Sequence, residues 1–255
     1  MIDTHAHLDF PQYDKDRDKV IEDAVSSGIQ SIINIGVDLD SSLKSIKLAE
    51  RYKNIYATVG FHPHDASKLS SENLKELEKL ASHPKVVAVG EIGLDFYRNL
   101  SPRELQIKAF KQQLELAKNH NLPIVVHIRD AYKDALEILS NHGRGLKGVL
   151  HCFSGSEAQA KESLKSGYYL SFNGTLTYKN SRSAELVKKI PLSSILVETD
   201  CPYLTPEPLR GKRNEPKLVR IVTEKIVGLS PAHTFKEIDQ IFTENAKKLF
   251  RLDSR

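Results

Sequence analysis

The chain holds two cysteines, one methionine and no tryptophan in 255 residues. No apolar run is long enough to span a bilayer, so a membrane partner is not expected. Two thiols cannot build a disulfide framework, and such sparing use suits a reducing compartment. Cys152 and Cys201 each directly follow a polar candidate residue, His151 and Asp200. They are expected to be buried structural thiols rather than ligands. The opening Met1-Ile2-Asp3-Thr4-His5 shows no basic leader followed by an apolar stretch, which argues against secretion and for a cytoplasmic protein. There is no linker rich in glycine, serine or proline, no low-complexity segment and no strong repeat. One domain spanning residues 1–255 is the expectation, with no obligate protein partner in evidence. No aromatic stripe or recognised nucleic-acid-binding module is present either, so any grip on nucleic acid would fall to loops.

What is there is an ordinary globular composition, 40% hydrophobic and 27% charged, with a net charge of +4 and pI near 8.8 that tolerates a polyanionic substrate. Eight short runs rich in valine and isoleucine recur, at 2–7, 31–37, 55–62, 86–94, 123–128, 148–153, 168–173 and 195–199. Each is too short for a helix, and helix-length segments separate them. That alternation predicts repeated βα units with a parallel sheet, and eight is the number that closes a (β/α)8 TIM barrel.

Helix punctuation agrees. Ser101-Pro102-Arg103-Glu104 offers a capping residue, a proline at the first helical position and a glutamate placed for a capping box. Behind it Ile107, Phe110, Leu114 and Ala117 keep helical spacing. Ser156 with Gln159 and Thr234 with Glu237 repeat the box. Helices are therefore expected to start at these signals after strands four, six and eight.

Polar, ligand-capable residues fall at the C-terminal ends of the runs: His5 and His7, His62 and His64, Glu91, His127, His151 and Asp200. In a barrel those ends share one mouth, where active sites sit. His5 and His7 stand two apart, so an extended strand points both imidazoles the same way. Glu91 is a carboxylate inside an apolar run, costly unless it is paired or bound to metal. His83, His120, His142 and His233 lie on expected helices or linkers and read as surface residues. Four histidines and two carboxylates on one edge predict a metal centre from His5, His7, Glu91, His127, His151 and Asp200. Six ligands exceed one tetrahedral ion; two ions about 3.5–4 Å apart with a bridging carboxylate are the economical arrangement.

These motifs carry a resemblance over essentially the whole chain: Ile2-Asp3-Thr4-His5-Ala6-His7-Leu8-Asp9, Gly60-Phe61-His62-Pro63-His64, Gly90-Glu91-Ile92-Gly93-Leu94-Asp95, Pro123-Ile124-Val125-Val126-His127-Ile128-Arg129-Asp130, His151-Cys152-Phe153-Ser154-Gly155, Glu198-Thr199-Asp200-Cys201-Pro202-Tyr203-Leu204 and Arg210-Gly211-Lys212-Arg213-Asn214-Glu215-Pro216. The chain resembles the TatD-like metal-dependent deoxyribonucleases, a branch of the amidohydrolase superfamily. Lys133 departs from that pattern, which carries an acidic residue there, and Asp134 stands one position on. The resemblance implies that His5, His7 and Asp200 hold one ion, His127 and His151 the other, and that Glu91 bridges them. It further implies that His62 and Arg129 meet substrate phosphate.

The expected activity is exonucleolytic hydrolysis of DNA phosphodiesters, at single strands or 3′ ends, by a water activated between two divalent ions (Mg, Mn or Zn). Asp200 would take the proton, with Glu91 as its catalytic partner. The basic lip at 210–214, Arg213 in particular, would add phosphate contacts. The rival readings on the same frame are a small-molecule amidohydrolase or lactonase and a D-aminoacyl-tRNA deacylase. A non-enzymatic metal-dependent scaffold is a further alternative.

Overall fold

The computed structural model describes residues 1–252. The eight expected strands form, six of them shortened and β4 and β5 running one residue further at the C-terminal end: β1 (Ile2–Ala6), β2 (Ser31–Asn34), β3 (Ile55–Val59), β4 (Val86–Asp95), β5 (Ile124–Arg129), β6 (Gly148–Leu150), β7 (Tyr169–Phe172) and β8 (Ile195–Val197). They pair in parallel in chain order. The seam between first and last closes just beyond β8. Ala6 bridges Cys201, and the Asp200 N–H donates to the His5 carbonyl at 2.8 Å. Asp3 clamps the seam from below, its carboxyl meeting the Thr199 N–H at 2.9 Å and the Thr199 hydroxyl at 2.6 Å. Burial pushes the Asp3 carboxyl up to about 8.

A helix follows every strand: α1 (Arg17–Ser26), α2 (Leu39–Arg51), α3 (Ser71–Ala81), α4 (Arg103–Asn119), α5 (Tyr132–His142), α6 (Glu157–Lys165), α7 (Arg182–Val187) and α8 (Val219–Leu229), with α9 (Phe235–Phe250) after them. None of the described helices is long and apolar enough to cross a membrane. The Ser156 and Thr234 capping boxes are both made. The second opens α9, one helix later than a simple βα count places it. Ser101 does not cap α4: the first helical residue is Arg103, and Pro102 precedes it without a side-chain bond. Its hydroxyl instead donates to the His64 carbonyl at 2.8 Å and accepts the Ser67 N–H at 3.1 Å, tying the loop after β3 to the loop after β4. Lys133 and Asp134 are both exposed on α5.

Apolar side chains sort into two layers. One lies between strands and helices and includes Ala6, Val89, Ile92 and Val126 with Phe110 and Leu114 of α4. The other fills the barrel interior at its N-terminal end, where Ile2, Ile33, Val87, Val149 and Leu196 meet Ala246, Leu249 and Phe250 of α9. The last helix plugs the floor of the barrel.

Two irregularities aim the site. Ile2 belongs to the interior, but Ala6, four residues on, belongs to the outer layer. Strict alternation would put both on one face. The register against β2 shifts between Asp3 and Ala6, so that His5 and His7, flanking Ala6, turn inward. In β4, Val89 and Ile92 are three apart yet both outer, and the register against β5 shifts between them. Glu91, Gly93 and Asp95 consequently share the inner face. Glycine is required at 93: φ is +138°, and a Cβ there would lie 2.0 Å from the His127 carbonyl oxygen.

Candidate metal centre

The strands and the first turns beyond them deliver His7, His62, Glu91, His127, His151 and Asp200 to the lining of one cavity of about 1120 Å³ at the C-terminal mouth, with His5 fully buried against Glu91 and Asp200. Glu91 sits in the middle. Its Oε1 faces His151 Nε2 at 2.8 Å, His127 Nδ1 at 2.9 Å and His62 Nε2 at 3.3 Å. Its Oε2 faces His5 Nε2 at 3.3 Å and His7 Nε2 at 3.8 Å. Asp200 Oδ1 closes the second set, 3.4 Å from His7 Nε2 and 3.8 Å from His5 Nε2.

Ring nitrogens also confront each other, His5 with His7 and His127 with His151, each pair at 3.2 Å. A single proton can be shared across each such contact, but the lone pairs and carboxylate oxygens gathered here outnumber those protons. Imidazoles and carboxylates converging in this way form a donor set for divalent cations. The field favours positive charge as well. Burial would raise the Glu91 and Asp200 carboxyls, yet the facing imidazoles outweigh it and hold both below the usual range, Glu91 well below. Burial would likewise lower His151, but Glu91 and Glu198 lift it well above an ordinary imidazole.

Among the described residues three groupings have ligand spacing: His5, His7 and Asp200; His62, Glu91 and His127; and His5, His151 and Glu198. The second includes His62, expected instead at phosphate. Its Nδ1 accepts the His64 N–H at 3.1 Å, so the neutral ring carries its proton on Nε2 and is a donor toward Glu91. Burial takes His62 down to about 4, keeping it neutral near pH 7.

Around this cluster lie residues to which the sequence reading gave no role. Asp95, buried, accepts from His64 Nε2 at 2.7 Å and lies 3.3 Å from His127 Nε2, orienting the ring whose Nδ1 faces Glu91. Glu198 accepts from the Ser171 hydroxyl, from Asn173 Nδ2 at 3.2 Å and from the Cys152 N–H at 2.8 Å, and lies 3.5 Å from His151 Nδ1. Both were within reach: each is a carboxylate at the end of an apolar run, the signal that singled out Glu91.

Arg129 lines the cavity with its guanidinium 4.0 Å over the Tyr97 ring. Arg213 was expected at substrate phosphate. It does not line the cavity but pairs with Asp16 at 2.7 Å and Glu215 at 3.0 Å and lies over Tyr13, holding the lip to the loop before α1. The lip residue at the mouth is Arg210. Cys201 is buried and Cys152 half-buried, its thiol pushed up to about 12 by burial; neither joins a ligand grouping. His83, His120, His142 and His233 lie outside the mouth, His83 beside Glu50 at 3.2 Å.

A closed parallel barrel with a carboxylate suspended between two sets of imidazoles at its C-terminal mouth defines a metal-dependent hydrolase of the (β/α)8 class. Comparison with known proteins narrows that class. The family described as "TatD related DNase" matches residues 2–251, and the chain belongs to it. It is 46% identical over 255 residues to the "Uncharacterized metal-dependent hydrolase YabD" of Bacillus subtilis, covering 99% of this chain and 100% of that one. It is 37% identical over 233 residues to the "3'-5' ssDNA/RNA exonuclease TatD" of Salmonella typhimurium, covering 89% and 90%. The crystal structure of YJJV, a TatD homolog from Escherichia coli K12, superposes with a TM-score of 0.92 at 33% identity over 98% of both chains.

Proposed function

We propose that the chain hydrolyses phosphodiester bonds at the 3′ end of single-stranded DNA, with two divalent cations held at the mouth. His5, His7 and Asp200 would hold one and His127 and His151 the other. The observation that carries this reading is the division of Glu91, one oxygen turned to each set of imidazoles. Bound divalent cations acidify water and polarise phosphoryl oxygens.

The chain's own groups supply the rest. Asp200, kept deprotonated by the neighbouring imidazoles, is the acceptor for the proton of the attacking water. The Arg129 guanidinium donates to phosphoryl oxygens, and the His62 Nε2–H, 3.3 Å from Glu91 Oε1, would pass from that carboxylate to the phosphate on substrate binding. Asp95 holds the His127 ring and Glu198 supports His151 from below. The family, and the activity named for the Salmonella relative, support nucleic acid as the substrate. The breadth of the cavity does too: at about 1120 Å³ it exceeds the usual range for small ligands. Arg98, Arg129, Arg182 and Arg210 along it suit a polyanion.

The test is digestion of end-labelled single-stranded DNA in Mg, Mn or Zn by the wild type, Asp200→Asn and His127→Ala. Each variant is expected to lose about a hundredfold or more in rate. Undiminished cleavage by either overturns the scheme, and hydrolysis confined to small amides, lactones or aminoacyl esters assigns the centre to another substrate class.

A further inference from the structure

Aromatic residues scattered in the sequence are brought together by the mouth loops. Phe10 follows His7 by three residues and Tyr203 follows Asp200 by three. The Phe10 ring stacks on His7, centroids 4.6 Å apart and planes 21° from parallel, and the Tyr203 ring stands edge-on to Phe10 at 6.3 Å. Both line the cavity. Tyr203 leaves 49% of its surface exposed.

Its backbone is fixed. The Tyr203 N–H donates to the Asp200 carbonyl at 2.9 Å, and its carbonyl accepts from Asn214 Nδ2 at 2.6 Å. Asn214 is fully buried and also donates to the Thr199 carbonyl. A rigid loop therefore presents an uncovered ring. The opposite side of the mouth differs, carrying Arg129 stacked on exposed Tyr97. Phe10 and Tyr203 carry no guanidinium over their rings, whereas the Tyr97 ring is covered by Arg129, and all but Tyr97 line the cavity with Glu91.

We infer that Phe10 and Tyr203 form a platform for an unpaired terminal nucleobase, seated over the His5–His7–Asp200 side of the centre, while the phosphate behind it meets Arg129. The inference rests on the nucleic-acid reading above and gives it a physical basis for strand choice. For a terminal base to lie on Tyr203 while its phosphate reaches the centre beside Glu91, it must turn away from its neighbour, which an unpaired end does freely and a paired end does only by breaking its pair. Every base has a π-face, so the platform selects single strands without reading sequence.

The absence of tryptophan leaves a clear optical window for the test. An oligonucleotide carrying 2-aminopurine at its 3′ terminus, joined through a hydrolysis-resistant methylphosphonate linkage, is titrated with wild type, Tyr203→Ala and Tyr203→Phe, all metal-loaded. The same proteins digest oligonucleotides ending in a normal or an abasic nucleotide. Wild type is expected to quench the fluorophore and to prefer the base-bearing end about tenfold in kcat/KM, chiefly through KM. Tyr203→Ala should lose both the quenching and the preference, and Tyr203→Phe should keep both.

Cleavage without base preference in the wild type, or preference undiminished in Tyr203→Ala, overturns the platform and leaves the nuclease reading standing. Quenching that depends on Tyr203 without any cleavage overturns the nuclease reading and leaves the platform standing. Neither quenching nor cleavage overturns both.

Discussion

The two ends of the barrel are built from the same strands and share almost no chemistry. At the floor, interior positions are aliphatic and α9 seals them with Ala246, Leu249 and Phe250. At the mouth, a few residues further along the same strands, interior positions are imidazoles and carboxylates facing one another at 2.8–3.8 Å. The floor gains stability by removing apolar surface from water. The mouth gathers groups that are costly to bury and that a bound cation satisfies. This division lets the mouth be altered for chemistry without loosening the fold.

Three substitutions sharpen or break the contrast. The largest effect is expected from Glu91→Gln, which keeps the shape but replaces one shared oxygen by a donor. Turnover should fall on the order of a thousandfold, and elemental analysis should find fewer bound cations, with the far-ultraviolet circular dichroism unchanged. A Glu91→Gln protein that unfolds would show that the mouth carries stability too. Next is Phe250→Ala at the floor, expected to cost about 3–5 kcal/mol in urea unfolding while the folded fraction retains wild-type kcat. Lost turnover in fully folded protein would break the separation from the other side. The smallest effect is expected from Asp95→Asn, which weakens the hold on the His127 ring. Cation affinity measured by competition with a chelating dye should drop about 10- to 100-fold, with little change in melting temperature.

Much of the barrel was legible in the sequence because valine and isoleucine mark buried strands wherever they recur. Their ends were not. His7, His62, Phe153, Asn173 and Thr199 lie beyond the last strand residue, whereas in β4 and β5 the pairing continues through Glu91, Asp95 and His127. Glu91 announced itself as a carboxylate in an apolar run, whereas Glu198, with the same signal, was passed over. Ser101 had the local pattern of a cap, but a tertiary bond to His64 took its hydroxyl. Arg213 read as part of a basic lip facing phosphate, and its partner Asp16, 197 residues away, gave no local signal of the pairing. Local chemistry can nominate such side chains; only the closed barrel decides what they meet.

The register shift in β4 bears on how this chain tolerates inheritance. Glu91 faces inward because one strand advances three residues where its neighbour advances two. Dropping one residue at that point would leave composition and hydrophobicity nearly untouched, yet it would reverse the parity of all that follows and turn the central carboxylate out among the helices. Substitutions in β4 can be graded by size and charge, but changes in its length are all or nothing. Drift through this segment is therefore confined to replacement, while the exposed loops remain free to grow and shrink.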